Sequence, residues 1–281
     1  MGLALVPVVT AAQVFWQERS YLHPAPRPLG MDLAAVGVAH LAPAVFPHPA
    51  GGTLRGWYAP SSNGAAVVLT HGAMGDRTGV VAETRILARA GFGVLAFDWP
   101  GHGESNGPVQ WGAQERSALG SAVGWLATRP GVDPARIGVF GFSMGGYIVA
   151  QVAARDSRLR AVALAGTPSS ATRLTDREYR GGGQLSQLMA RWSDKLLFGP
   201  DDLPAERVVG GIAPRPLLII AGGEDPAVQT DMAAELYRAA GEPKTLWIIP
   251  GAGHGGYAES DATYAHGLAA FFLRALPPAR P

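Results

Sequence analysis

Short apolar segments alternate with longer helical ones along most of this chain, and that alternation constrains its fold more than any other feature. The apolar segments are continuous, as expected for strands covered on both faces: residues 65–70, 94–97, 137–142, 161–165, 217–221 and 245–249. The segments with helical spacing are residues 80–90, 114–128, 145–154, 229–240 and 262–276. This order predicts an α/β protein, a mostly parallel sheet with helices on both faces.

The alternation also predicts how the chain is divided. Residues 1–30 form an apolar N-terminal segment and a Pro-rich connector, and residues 31–281 form one domain. At the start of that domain, residues 36–46 and 53–58 predict two further strands joined by a turn. Residues 169–209 break the alternation. We therefore expect this stretch to be a small lid inserted over one edge of the sheet.

The N-terminal segment leaves several interpretations open. Residues 3–16 are almost wholly apolar, but they are too few to span a bilayer and lack the basic region of a secretory signal. A helix packed on the domain, a shortened membrane anchor and an interfacial segment all fit. Peripheral membrane contact through this segment is thus an expectation, and the sequence does not decide between a cytoplasmic and a membrane-associated protein.

Composition and motifs argue against several classes of function. Lys and Arg total 23 and Asp and Glu 22, and no basic run is visible, so nothing predicts a nucleic-acid partner. Because the chain has no cysteine, thiolate nucleophiles and Cys-based zinc sites are excluded. No phosphate-binding loop and no clustered metal ligands occur, and we expect neither a cofactor nor a metal. The sequence does not indicate an oligomeric state.

Ser143 lies in the pattern Gly-x-Ser-x-Gly, between a predicted strand and a predicted helix. A nucleophile elbow requires this strand–turn–helix context, because the serine occupies a strained turn whose neighbours must be small. Gly141 and Gly145 meet that need. A serine hydroxyl is a weak nucleophile at neutral pH and needs an adjacent base. The pattern therefore predicts Ser143 as the nucleophile of a hydrolase.

His254 and Asp225 are the candidate base and acid. His254 follows the last predicted strand in a Gly-rich loop, and the order serine, acid, histidine along the chain favours it over the other histidines. Asp225 and Glu224 both follow the strand before it. We predict Asp225, which precedes Pro226 in an extended turn, and keep Glu224 as the second candidate.

The oxyanion of a tetrahedral intermediate needs two donors, and both are predicted to be backbone N–H groups. The residue after the nucleophile, Met144, supplies one. The loop after the first parallel strand reads His71-Gly72-Ala73, and we assign the second donor to Ala73. His71 is then a loop-shaping residue rather than a catalyst.

These features resemble the α/β-hydrolase superfamily over residues 44–276. The matching motifs are the elbow, the His71-Gly72 turn, the block 98–105, the acid turn 222–225 and the Gly-His-Gly around His254. The resemblance implies about eight strands, and a block 98–105 that shapes the site rather than performing the chemistry. Within the superfamily the chain is most similar to esterase-like and dienelactone-hydrolase-like enzymes. Unlike one lipase and esterase group, it has no third glycine after His71-Gly72.

The combined prediction is a serine hydrolase that cleaves a small-molecule carboxylic ester through an acyl-enzyme. Thioesters, amides and carbon–carbon bonds beside a ketone are alternatives, since the same triad serves all of them. A binding protein that has lost catalysis is the alternative from another class. Aromatic side chains predict an apolar substrate pocket: Trp99, Trp111, Tyr179, Trp192 and Phe198.

Overall fold

The computed structural model describes residues 12–17, 19–20, 29–197 and 203–278, without the side chains of residues 196 and 197. Most of the apolar N-terminal segment and Phe198 thus lie outside the described residues. Residues 12–17 and 19–20 are helical, and the Gln17 side chain donates to the Glu178 carboxylate at 2.5 Å. No helix in the described part of the chain has the length and apolar content needed to cross a membrane. Membrane contact through the N-terminal segment stays a prediction.

An eight-stranded sheet forms the centre of the described structure, in the order β1-β2-β4-β3-β5-β6-β7-β8. Strands β1 and β2 are antiparallel to their neighbours, and β3 to β8 are parallel to one another. The strands are β1 Ala42–Pro47, β2 Thr53–Ala59, β3 Ala66–Thr70, β4 Gly93–Phe97, β5 Ile137–Phe142, β6 Leu159–Ala165, β7 Leu217–Gly222 and β8 Lys244–Ile249. The fold class predicted from the alternation is confirmed.

Helices connect the parallel strands, and two more helices follow β8 within the described residues. After residue 29 they are α1 Val81–Arg89, α2 Ala113–Ala127, α3 Met144–Ala153, α4 Ala171–Glu178, α5 Gly183–Leu197, α6 Ala205–Val208, α7 Thr230–Ala239, α8 Tyr257–Ser260 and α9 Tyr264–Ala275. The stretch predicted as an inserted lid contains α4, α5 and α6, between β6 and β7. Arg173 of α4 pairs with Asp231 and Glu235 of α7. This part of the chain is therefore anchored to the helix that follows β7.

The prediction of a strand over residues 36–46 is wrong in its first half. Leu33–Val36 form a 3-10 turn that ends at Gly37, and the strand begins only at Ala42. Gly37 has φ 67°, a left-handed conformation that terminates the turn and cannot continue into a strand. Apolar character alone did not reveal this break.

The core lies on both faces of the sheet. Alternate residues of β3 belong to different clusters: Val68 packs with α2 and α3, whereas Val67 and Leu69 pack with α1 and α9. Every residue of β3, β4 and β7 is buried, as expected for strands covered on both sides. The loops after the carboxyl ends of β3, β5, β7 and β8 consequently meet at one edge of a rigid sheet, where ligands bind in open α/β folds.

Candidate active site

Ser143 occupies a strained turn between β5 and α3. Its φ is 53° and its ψ is −120°, a combination that is costly for a residue with a Cβ. A Cβ added to Gly141 would lie 2.7 Å from the Gly145 carbonyl, and one added to Gly145 would lie 2.6 Å from the His71 carbonyl oxygen. The turn therefore depends on both glycines, and the packing around it holds Ser143 in this conformation.

The structure brings the predicted nucleophile, base and acid into one hydrogen-bonded chain. The distance from Ser143 Oγ to His254 Nε2 is 2.9 Å, and that from His254 Nδ1 to Asp225 Oδ2 is 2.7 Å. A carboxylate only accepts, so Nδ1 carries the proton and Nε2 is left to accept from the serine hydroxyl. The His254 side chain is 29% exposed, whereas that of Asp225 is fully buried. The serine end of the chain is thus open to a substrate.

Asp225 is fixed by its own loop. Its second oxygen, Oδ1, accepts from the N–H groups of Ala227 and Val228 at 2.9 and 2.8 Å. Glu224 is exposed, and its backbone N–H donates to the Ala252 carbonyl. Of the two candidate acids, the structure places Asp225 against His254.

Three residues around the His254 ring were not predicted from the sequence. The Phe142 ring lies 4.9 Å from it, centroid to centroid, and the Tyr257 ring lies 6.4 Å from the Phe142 ring. Gly166 has φ 53°, and a Cβ there would lie 3.4 Å from His254 Cε1. Burial and the charge of Asp225 raise the pKa of the Tyr257 hydroxyl. The sequence offers only two signals for these contacts. Gly166 directly follows β6, and Phe142 occupies the variable position before Ser143 in the elbow.

The predicted oxyanion donors flank the nucleophile. Met144 is the first residue of α3, so its N–H has no carbonyl partner one turn earlier in the helix. On the other side, a Cβ on Gly72 would lie 3.1 Å from the Ser143 Cβ, and Ala73 follows directly. Met74 has φ 57°, which turns the loop sharply after Ala73. The loop after β3 therefore contacts the elbow.

His71 holds that loop as a neutral imidazole. Its Nε2 accepts from the Trp99 N–H at 3.1 Å, so its Nδ1 carries the proton and donates to the Gly72 carbonyl at 2.7 Å. Burial lowers the pKa of His71 to about 3, and the neighbouring His102 lowers that pKa as well. The geometry agrees with the loop-shaping role predicted for His71.

A buried ion pair joins the loop after β3 to the block 98–105. The Arg77 guanidinium bonds the carboxylates of Asp98 and Glu104. Asp98 also accepts from the N–H groups of Arg77 at 2.8 Å and Glu104 at 2.9 Å. Burial raises the pKa of Asp98 to about 6, with the Arg77 charge opposing it. These bonds fix loop geometry and lie apart from the serine–histidine pair.

The aromatic residues predicted to line a substrate pocket differ in how deeply they are buried. Trp99 is fully buried, and its indole N–H donates to the His71 carbonyl at 2.9 Å. The expectation that Trp99 contacts substrate is corrected, because it forms part of the core beneath the loop. Trp111 and Tyr179 are half-buried, and Trp192 on α5 is 66% exposed. Within the described ranges, no cluster of three or more His, Asp or Glu side chains could hold a metal ion.

Comparison with known proteins places this geometry in a family. The sequence profile of the prolyl oligopeptidase family matches residues 79–278. The chain belongs to that family. A relative in Escherichia coli K12, the uncharacterized protein YfhR, is 30% identical over 213 residues, which cover 73% of this chain and 70% of YfhR. The uncharacterized protein Rv2307c of Mycobacterium tuberculosis H37Rv is 32% identical over 206 residues, covering 72% and 68%.

Solved structures share the fold of this member of the prolyl oligopeptidase family over nearly its whole length. An esterase of Pyrococcus furiosus superposes with a TM-score of 0.77 at 21% identity, covering 91% of this chain and 98% of the esterase. An α/β-hydrolase of a Penicillium species gives 0.69 at 22% identity, covering 84% and 99%. The α/β-hydrolase resemblance predicted from the sequence is confirmed. Family and fold together identify an activity of the serine hydrolase type.

Proposed function

We propose that this protein hydrolyses carboxylic esters, with Ser143 as nucleophile, His254 as base and Asp225 as the acid that orients His254. The observation that carries the proposal is the chain of two hydrogen bonds, 2.9 Å at the serine and 2.7 Å at the aspartate. Nucleophile and base within hydrogen-bond reach, with the base held by a third group, is the arrangement that activates a serine hydroxyl.

Each step of the proposed reaction has a group to carry it. His254 Nε2 takes the hydroxyl proton as Ser143 Oγ attacks the ester carbonyl carbon, and Asp225 stabilises the imidazolium. The N–H groups of Ala73 and Met144 bind the developing oxyanion. When the tetrahedral intermediate collapses, His254 returns the proton to the departing alkoxide. Water then attacks the acyl-enzyme by the same route and releases the acid and free Ser143.

Ester hydrolysis is favoured over its alternatives by the structural neighbours. The Pyrococcus furiosus protein that shares the fold over 91% of this chain is named an esterase. The family is named for a peptidase, which supports amide cleavage as the second candidate. Both substrates need the same triad, because both react through an acyl-enzyme.

Replacement of the nucleophile tests the proposal. We expect Ser143→Ala to fold normally and to lose at least about a thousandfold in kcat on nitrophenyl esters, since removal of a triad member leaves only residual catalysis. The exposed residue Ser62 offers a matched control, Ser62→Ala, which should keep the wild-type rate. A fluorophosphonate probe should label the wild type and Ser62→Ala only.

The same panel separates the substrate classes. It should contain nitrophenyl esters of graded chain length, acyl thioesters and peptide nitroanilides. Ester turnover that survives in Ser143→Ala would disprove the nucleophile. Serine-dependent labelling with turnover of nitroanilides alone would establish the peptidase alternative, and the absence of any serine-dependent adduct would indicate a non-catalytic protein.

A pair of carboxylate variants tests the acid. Asp225→Asn should lower kcat by about a hundredfold or more, because an amide at this position cannot hold His254 in the reactive tautomer. Glu224→Gln should stay within about threefold of wild type, since an exposed side chain away from the imidazole changes little. Ester kinetics on both variants decide which carboxylate is the acid. A larger loss in Glu224→Gln would reassign the acid.

A further inference from the structure

A cleft with a volume of about 650 Å³ opens at the edge of the sheet where β5, β6 and β7 begin. Ser143 and Asp225 follow the opposite ends of β5 and β7. A strand of this length spans roughly 20 Å, so the cleft is separate from the serine–histidine pair. Its volume lies within the range of small-molecule sites, about 300 to 1,000 Å³.

Four arginines line this cleft, and no carboxylate does: the arginines are Arg136, Arg155, Arg160 and Arg215. Several arginines elsewhere in the described structure pair with acids, as Arg77 does with Asp98 and Arg191 with Asp176. The nearest acid along the chain, Asp156, is bonded by Arg158 at 2.6 Å. The wall of the cleft therefore carries positive charge that no lining residue neutralises.

Arg215 is held firmly in the lining of the cleft. All five of its N–H groups donate to neutral carbonyl oxygens, those of Ala153, Asp156, Leu159, Gly211 and Ile212. Carbonyl groups fix the guanidinium plane without neutralising its charge, which Asp156, itself paired with Arg158, offsets only in part. Burial lowers the pKa of Arg215, and the positive charge of Arg160 lowers that pKa further. The positive charges of Arg160 and Arg215 thus repel each other.

Arg155 and Arg160 have donors to spare. Both are exposed, and no residue in the described part of the chain forms a side-chain hydrogen bond or ion pair with either. Guanidinium groups bind phosphate and carboxylate oxygens through parallel N–H donors, and such charge-assisted bonds are the strongest that arginine makes. An anion bound between the Arg155 and Arg160 side chains would offset the repulsion between Arg160 and Arg215.

The rest of the lining is mostly apolar. It includes Pro214, Pro216, Leu276 and Pro277 together with four alanines, and among the described residues Ser157 is its one polar side chain besides the arginines. Arginine donors beside apolar walls fit a ligand with an anionic group on an apolar body. We propose that this cleft binds a small organic anion, with its phosphate or carboxylate group held by Arg155 and Arg160 and its apolar part against the proline-rich wall.

Titration calorimetry with phenyl phosphate, benzoate and inorganic phosphate tests the proposal. We expect phenyl phosphate or benzoate to bind, and the double variant Arg155→Gln/Arg160→Gln to weaken that binding at least tenfold. The matched control is Arg55→Gln/Arg89→Gln, which removes the same charge from exposed arginines outside the cleft and should bind as wild type does. Circular dichroism checks that both variants are folded.

A second arm distinguishes a free anion from a lipid headgroup. Phosphatidylcholine vesicles with and without phosphatidate are sedimented with the same three proteins. Capture by phosphatidate that the double variant loses and the control keeps would support the site with a lipid as its source. Equal binding of every probe by all three proteins, or binding of none by the wild type, would overturn the proposal.

Discussion

At the scale of single residues, the His254 ring is held by apolar contacts as well as by its two hydrogen bonds. Phe142 packs against the ring at 4.9 Å, and Gly166 leaves room for both rings because it has no Cβ. Hydrogen bonds to Ser143 and Asp225 fix the two nitrogens but not the tilt of the ring. We therefore assign Phe142 a positioning role in the proposed reaction.

Truncation of Phe142 should lower turnover more than binding. Phe142→Ala removes the ring that supports His254, and small displacements of a catalytic group cost about tenfold to a hundredfold in kcat. Phe142→Leu keeps apolar bulk and should recover most of that loss. Ester kinetics that resolve kcat from KM provide the measurement. If Phe142→Ala and Phe142→Leu both matched the wild-type kcat, Phe142 would be a packing residue only.

At the scale of elements, the first turn of α3 lies unusually close to β3. A Cβ on Gly145 would lie 2.6 Å from Thr70 Oγ1 and 2.7 Å from the Thr70 carbonyl oxygen. Backbone atoms of a central strand cannot yield by the required distance. The close approach of α3 to β3 brings the elbow against the loop that begins at His71.

Two glycine-to-alanine substitutions should therefore change the stability of the protein in opposite directions. Gly145→Ala should destabilise the protein by about 1 to 3 kcal/mol, the usual cost of overpacking a core. Gly120 in α2 has nothing within 4 Å of an added Cβ, so Gly120→Ala should stabilise by about 0.5 to 1 kcal/mol through helix propensity. Urea unfolding measures both. A Gly145→Ala protein as stable as wild type would show that α3 can shift away from β3.

The sequence predicted those features that depend on neighbouring residues, and it missed those that depend on contacts between distant parts of the chain. The buried strands were found to within one or two residues because continuous apolar runs mark them. Ser143, His254 and Asp225 were predicted to lie together because each follows a strand that ends at the same edge, and hydrogen bonds join the three in the structure. The burial of Trp99 and the contact of Phe142 with His254 depend on loops distant in sequence, and the left-handed Gly37 that ends the first turn has no apolar signature.

At the scale of the whole molecule, one buried histidine should make stability depend on pH. Unfolded, His71 takes up a proton near pH 6.5, whereas burial lowers its folded pKa to about 3. Between these values the unfolded chain binds the additional proton. The contribution of neutral His71 to stability is therefore complete above pH 6.5 and is lost as the pH falls.

The difference in free energy of unfolding between the wild type and His71→Gln isolates the contribution of His71. Below pH 6.5 the free energy of unfolding of the wild type should fall by about 1.4 kcal/mol per pH unit relative to His71→Gln, which has no titrating group there. Other titrating groups are shared and cancel. Urea unfolding at several pH values from 7.5 to 5 checks the slope. A constant difference over that range would show that His71 is protonated in the folded state.

The proposed oxyanion donors are backbone N–H groups, and this has a consequence for how the site varies among relatives. Side-chain replacement at Ala73 or Met144 leaves the backbone N–H in place. Alanine scanning would therefore not detect the proposed oxyanion donors. Exchange of the amide for an ester linkage deletes such a donor and keeps the side chain. Natural sequences can accordingly change at Ala73 and Met144 as far as packing of the buried Met144 side chain allows, which lets the shape of the site diverge while the proposed donors remain.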